Sequence, residues 1–290
     1  MATNTPFGQR LGLVLEGGAM RGIYTAGVLD VFLEAGIMPD VVVGVSAGAL
    51  HGCSYVAGQK GRSIRYYRKY RSDKHFMGLY SLLTTGDVVG TKFCYEDIPL
   101  RLDPFDEAAF EKAPVDFYVT VTNVHTGKPE YILCDELKVG SKMDVIRAGA
   151  SMPLCSKMVE WNGNLYLDGG VSDSIPYAKM KDFGCRKSIV VLTQPAGYLK
   201  QPAAMAPFEA MYRKYPAFVE AMRGRDQMYN TEVCAVEQAA KQGDVFLIRP
   251  SKLLHVGRME HDIEVLNAQY ELGRQDARNQ MDAMREWMER

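Results

Sequence analysis

Val41-Val42-Val43-Gly44-Val45 is an unbroken apolar run, with no polar residue on either alternate set of positions. A strand with one wet face alternates; a strand written like this one is covered on both faces. The run stops at Ser46, and small residues then continue in a helix-like stretch through about Val56. The same layout stands upstream. Leu11–Leu15 leads through glycines into a helix over Ile23–Ala35, with Val28, Leu29, Val31 and Phe32 on its buried side and Gly36 as its stop. Phe117–Val121 and Tyr131–Cys134 read as a strand pair, Ser188–Leu192 and Val245–Ile248 as further strands. Asn162-Gly163 sets a hairpin between Val159–Trp161 and Leu165–Leu167. Strands and helices in this alternation predict an α/β protein, a three-layer α/β/α sandwich around a central, mostly parallel sheet. Ser141 to Asp144 has capping-box spacing and predicts a helix through Ala148. Residues 61–115 predict a helix near Ile64–Tyr70 and then irregular structure; helices fill most of the chain after 216, the last running from about Asp262 to the end.

Charge narrows the function classes. With 34 Lys+Arg against 35 Asp+Glu the formal charge is −1, which gives no general attraction to nucleic acid, so no nucleic-acid partner is expected. No apolar run approaches the roughly 18 residues that a membrane span needs. The start, MATNTPFGQR, lacks the apolar core of a secretory leader, and Ala2 excludes myristoylation there. Six cysteines lie far apart with no C-x-x-C, which reads as reduced thiols in a cytoplasmic protein rather than disulfides or a zinc site. Calcium-loop spacing is absent as well, so neither metal nor organic cofactor is expected. No feature specifies an oligomeric state.

Three motifs carry chemistry. Gly44-Val45-Ser46-Ala47-Gly48 is a G-x-S-x-G pentapeptide between a strand and a helix, where a sharp turn exposes a serine and the glycines remove side chains that would collide. The alternative is a tight βα turn of small residues. Gly17-Gly18-Ala19-Met20-Arg21-Gly22 follows the first strand and opens the first helix. Its backbone N–H groups can cradle an anion or oxyanion. Arg21 orients this loop, helps hold an anionic group, or is a plain surface arginine. Gly17, Ala19 and Gly22 also fit a degenerate dinucleotide pattern, but the acid that follows, Asp40, precedes the second strand instead of ending it. Asp168-Gly169-Gly170 closes a strand and is either a carboxylate brought to a distant nucleophile or a common Asp-Gly turn.

In combination, Gly-Gly-x-x-Arg-Gly, Gly-x-Ser-x-Gly about 25 residues on and Asp-Gly-Gly beyond residue 160 resemble the patatin-like phospholipase family, bacterial members above all. Ala150-Ser151-Met152-Pro153 resembles a further segment of it, and the resemblance covers roughly residues 10 to 195. It implies one acyl hydrolase domain over 1–290, with a motif-bearing core at about 10–195 and a helical C-terminal part at about 208–290. It implies Ser46 as nucleophile and Asp168 as its partner in a Ser–Asp dyad. Gly17, Gly18 and Ala19 would form the oxyanion hole, with Arg21, Gly22, Gly44, Gly48, Gly169 and Gly170 in support. Many members carry a third glycine where this chain has Ala19, a minor change if φ there stays negative.

Read from the residues alone, the base stays open. A carboxylate titrating near 4 is a weak base for a serine hydroxyl unless burial raises it. A Ser–Asp–His arrangement would draw on His255 or His261, which follow Asp168; His51, His75 and His125 complete the set. The expected activity is hydrolysis of carboxylic esters, lipid or phospholipid acyl esters first, through an acyl-serine. The alternatives are an acyltransferase or thioesterase using the same dyad, or a non-catalytic lipid- or partner-binding module.

Two segments bear on lipid contact. Residues 194–216 interleave four prolines with Tyr198, Met205, Phe208, Met211, Tyr212 and Tyr215; they read as a mobile loop over an acyl pocket or as a connector packed on the body. Tyr66, Tyr67 and Tyr70 among Arg62, Arg65, Arg68, Lys69 and Arg71 form a basic aromatic patch, either a peripheral contact with anionic head groups at a membrane or a solvated amphipathic helix.

Overall fold

A computed structural model describes residues 5–290, so the start read for a leader lies partly outside them. Eight strands form one sheet: β1 (Arg10–Leu15), β2 (Val41–Val45), β3 (Asp116–Asn123), β4 (Pro129–Leu133), β5 (Val159–Trp161), β6 (Asn164–Asp168), β7 (Cys185–Val191) and β8 (Val245–Ile248). The order is β5-β6-β3-β2-β1-β7-β8, and β4 pairs with the remaining edge of β3. The run β3-β2-β1-β7-β8 is parallel, while β4 and β6 pair antiparallel with β3 and β5 pairs antiparallel with β6.

The apolar strands feed two cores. Leu13, Leu15, Val42, Ile189 and Val191 face one hydrophobic cluster; Val14, Val41, Val43 and Val190 face another. This two-residue alternation between covered faces is what an α/β/α sandwich requires. Eleven α-helices are described: α1 (Ile23–Ala35), α2 (Ala47–Val56), α3 (Arg62–Tyr70), α4 (Leu79–Thr85), α5 (Glu107–Lys112), α6 (Met143–Gly149), α7 (Ala206–Met211), α8 (Pro216–Arg223), α9 (Arg225–Gln242), α10 (Ile263–Asn279) and α11 (Met281–Glu289). Helices α1, α2 and α10 supply the first cluster, and α9 supplies the second through Tyr229, Val236 and Ala239.

Three local expectations change. Ser141 does not cap α6; its hydroxyl donates to Glu136 at 2.6 Å. The final helix is two, parted at Gln280. Residues 61–115 hold α4, α5 and a wide π-helical segment over Phe93–Leu102 that accommodates Pro99, where a tighter helix would clash. The basic aromatic stretch forms the amphipathic helix α3, with Ile64 and Tyr67 buried and Arg65, Arg68 and Lys69 exposed. Arg62 and Arg65 both face Asp103, Arg71 donates to the carbonyls of Met259 and Glu260, and Tyr67 is buried.

Candidate active site

Ser46 sits where β2 leaves the sheet. Its φ of 53° and ψ of −123° are strained for an L-residue, as befits a turn that presents a side chain. The flanking glycines are packed, not merely flexible. A Cβ on Gly44 would come 2.5 Å from Ala49 Cα, and one on Gly48 would come 2.4 Å from the Leu15 carbonyl oxygen.

Sheet register brings Asp168 to this turn. Thr120 on β3 pairs with Val45 across one edge and Tyr131 across the other; Val121 pairs with Glu130 and, on the first edge, with Asp168. β6 therefore takes over the edge of β3 where β2 turns away. Ser46 Oγ donates to Asp168 Oδ2 at 2.6 Å across 122 positions of sequence, and both residues are buried. Asp168 is fixed on every side. Its Oδ1 accepts from Gly170 N–H at 2.8 Å, its carbonyl accepts from Thr122 Oγ1 at 2.8 Å, and its own N–H donates to the Ser151 carbonyl at 2.9 Å. Burial pushes the carboxyl above its ordinary range; the Ser46 hydrogen bond, the Arg225 charge and the Gly170 amide pull it part of the way back. Gly169 lets the chain pass Thr120, whose carbonyl oxygen lies 2.2 Å from where a Cβ would stand.

The glycine-rich loop closes the other side. A Cβ on Gly17 would lie 2.8 Å from Ser46 Cβ, one on Gly22 2.6 Å from Ala47 Cβ, and one on Gly18 2.8 Å from Thr193 Oγ1. Among the described residues, the N–H groups of Gly17, Gly18 and Ala19 donate to no other protein group, and all three residues line a cavity beside Ser46. The condition under which Ala19 is a minor change, a negative φ, is not met: φ is 49°. An L-residue holds that left-handed conformation at a cost of about 1–2 kcal/mol, and glycine holds it freely.

Two cavities meet at Ser46. The first, about 110 Å³, is apolar, with Met20, Leu50, Tyr67, Phe76 and Ile98 in its walls. The second, about 220 Å³, is the more polar of the two and is lined in part by Asp168, Glu16, Arg21, Lys200, Arg225 and Arg258. Ser46, Ala19 and Met152 belong to both. No imidazole is placed for catalysis among the described residues. His255 and His261 are exposed and line neither cavity. His51 is buried against Ser63 Oγ at 3.0 Å, and burial brings its pKa down to about 4. No group of three or more His, Cys, Asp or Glu among the described residues could hold a metal ion.

Residues 194–216 are anchored. Lys200 N–H donates to Asn230 at 2.9 Å, Asn230 returns a bond to the Lys200 carbonyl, and buried Tyr212 accepts from Leu154 N–H at 3.0 Å. The sequence reading missed Glu16, Lys200, Arg225, Tyr229 and Arg258. Arg225 opens a mostly polar helix and Lys200 lies in a proline-rich stretch, contexts that normally mark surface charge; no motif signals their convergence.

Residues 13–180 match the family model described as patatin-like phospholipase. The chain belongs to that family. Membership places this patatin-like chain among enzymes that hydrolyse lipid esters. Residues 215–289 match a second model, described as a domain of unknown function. Escherichia coli (strain K12) YjjU, an uncharacterized protein, is 28% identical over 273 residues, which is 91% of this chain and 75% of that protein. Lysophospholipase nte1 of Aspergillus terreus is 30% identical over 182 residues, and NTE1 of Saccharomyces cerevisiae is 30% identical over 190. Those alignments cover 61% and 63% of this chain but 11% of each fungal protein. The patatin match ends before Lys200, Arg225 and Arg258.

Proposed function

We propose that the chain is a serine acyl hydrolase that cleaves lipid acyl esters with a Ser46–Asp168 dyad and no histidine. The observation that carries this reading is the 2.6 Å hydrogen bond from Ser46 Oγ to Asp168 Oδ2 in a buried site. Ser46 Oγ attacks the ester carbonyl carbon as its proton passes to Asp168. The carbonyl oxygen gains the negative charge and is met by the N–H groups of Gly17, Gly18 and Ala19, preorganised because nothing else occupies them. The tetrahedral intermediate collapses, the alcohol leaves with the proton from Asp168, and the acyl group stays on Ser46. Water then gives a proton to Asp168 and attacks the acyl-serine, and the acid departs as Ser46 recovers its proton. The raised affinity of Asp168 for a proton makes it a better base than a free carboxylate. The apolar cavity takes the acyl chain.

The lysophospholipase names of the fungal relatives agree with a single-chain substrate. Peripheral contact with a lipid surface is part of the same proposal, and its support lies on α4, where Leu79, Tyr80, Leu82 and Leu83 are all exposed. Among the described residues no helix is long and apolar enough to cross a membrane.

Fluorophosphonate labelling mapped by mass spectrometry, beside hydrolysis of a short-chain ester, tests the dyad. Label on Ser46 is expected, with turnover reduced at least about a thousandfold in Ser46→Ala and Asp168→Asn. Products in the presence of glycerol are expected to be free acid; an acyl-glycerol product would instead identify a transferase. Full activity in Asp168→Asn would sink the dyad.

A further inference from the structure

The polar cavity holds four cations from four parts of the chain: Arg21 after β1, Lys200 before α7, Arg225 at the start of α9 and Arg258 before α10. Elsewhere the partly buried arginines face a carboxylate, except Arg71, which donates to two backbone carbonyls. Arg10 faces Asp116, Arg62 faces Asp103, Arg249 faces Glu237 and Arg274 faces Glu34. Among the described residues none of the four cavity cations has a carboxylate within salt-bridge distance. Arg225 Nε donates to the Gly170 carbonyl at 2.6 Å, Lys200 Nζ rests 4.1 Å from the centre of the Tyr229 ring, and Arg21 Nε is buried with no partner.

The two carboxylates in the same walls are engaged. Glu16 accepts from Thr193 N–H and, at 2.9 Å, from Tyr229 OH, and burial pushes it toward the neutral form. Asp168 holds Ser46 and the Gly170 amide. The cavity therefore carries an excess of positive charge, from three partly buried cations and the exposed Arg258, that Glu16 and Asp168 offset only in part. Burial, with repulsion among the cations, lowers Lys200 to about 8 and weakens Arg225's hold on its proton, while Glu16 and Asp168 respectively pull the other way.

Given the hydrolase reading above, on which it rests, the geometry points to the polar chamber as the head-group site for acyl esters of net negative charge, a phosphate on the alcohol side of the scissile bond. Three of its four cations come from outside the patatin match, and Arg225 and Arg258 come from the segment of unknown function. Selection of the head group is thus what the C-terminal part adds to the site. Phosphate oxygens suit donors converging from four directions, and arginine and lysine supply charged donors only. A zwitterionic head group would bring a cation into a chamber whose carboxylates are already bonded, so it loses the advantage.

Three octanoyl esters of equal chain length test this: octanoyl-glycerol 3-phosphate, octanoyl-glycerophosphocholine and octanoylglycerol. We expect kcat/KM for the anionic ester to exceed the other two at least about tenfold, mainly through KM, with the margin shrinking as salt rises. Lys200→Met and Arg258→Met should each cut the ratio of anionic to neutral turnover about tenfold, the scale of one charged hydrogen bond. Lys200→Arg should keep most of it. Thermal unfolding verifies that each variant is folded. A wild-type ratio near one, or a ratio that both variants leave intact, overturns the head-group assignment while the dyad stands. If no ester turns over and Ser46 takes no label, the hydrolase reading fails instead. Inorganic phosphate titrated by calorimetry provides the remaining arm. Binding that weakens in both variants, without any preference among the esters, identifies a free-phosphate site and also overturns the assignment.

Discussion

Asp168 has two tasks that pull its proton affinity in opposite directions. It must be ionised to accept the serine proton, and it must bind that proton well enough to be a useful base. Burial raises its pKa, while the Ser46 hydroxyl, the Arg225 charge and the Gly170 amide lower it. Because the folded value lies above the ordinary carboxylate range, kcat/KM is expected to fall as pH drops through that raised value, at higher pH than an exposed aspartate would give. Arg225 contributes to where the fall occurs, beside burial and the Ser46 hydrogen bond. Arg225→Gln removes a lowering influence, so the acid limb should move to higher pH; Arg225→Lys should leave it close to wild type. Loss of the bond from Arg225 to the Gly170 carbonyl would by itself depress kcat at every pH without moving the limb, so a pH profile of kcat/KM for the neutral ester separates the two roles. An unmoved limb in Arg225→Gln would show that its charge does not reach Asp168.

Among the elements, α4 is the one whose sequence gives least warning of its placement. It caps an excursion closed at its base by the Met77–Val89 bridge, and both bridge residues line the apolar cavity. Leu79 and Leu83 are 70% and 77% exposed, an unusual use of leucine unless something apolar covers it. Replacing both with serine should reduce co-sedimentation with phosphatidylglycerol vesicles by about tenfold or more, given roughly 1.5–3 kcal/mol for each leucine fully buried. Monomeric ester turnover should hold near wild type, and equal sedimentation of the double variant would remove α4 from the membrane contact. The helix escaped sequence reading because it is seven residues long and inverted, with its leucines exposed and Ser81 buried, so its apolar positions do not mark an inner face. Strands β1, β2, β7 and β8 were legible for the opposite reason: burial on both faces writes a continuous apolar run. The turn at Ser46 was legible because sharp geometry demands glycine on both sides. The approach of Asp168 was foreshadowed by its motif alone, since the register that delivers it depends on β3 and β6 pairing, which local sequence does not encode. The basic chamber was invisible because each of its cations looks like a surface residue in its own stretch.

At the scale of the molecule, the C-terminal part is structural before it is anything else. β8 extends the sheet beside β7, and α9 covers the face on which Val14, Val43 and Val190 lie. α10 crosses α1 at backbone contact: a Cβ on Gly27 would lie 2.1 Å from the Tyr270 carbonyl oxygen, and one on Gly273 would lie 2.1 Å from that of Tyr24. Tyr24 OH donates to Asp276 at 3.1 Å, Tyr270 OH donates to Asp30 at 2.5 Å, and Glu34 receives both Arg274 and Arg278. α1 begins directly after the glycine-rich loop, so this crossing also fixes the amides that face Ser46. A chain ending at residue 205 would uncover the sheet face under α9 and the inner side of α1 together. It should therefore be insoluble or lack cooperative unfolding by near-UV circular dichroism, even though it retains the whole patatin match. Gly273→Ala is the milder probe. It forces the helices apart, and overpacking of this kind costs about 1–3 kcal/mol; urea unfolding should show that loss. Ester turnover should fall further than the fraction unfolded explains, because the displaced α1 carries the loop with it. Wild-type stability in Gly273→Ala would mean that α1 and α10 do not touch, and a soluble, active 1–205 fragment would mean that the sheet closes without its C-terminal half.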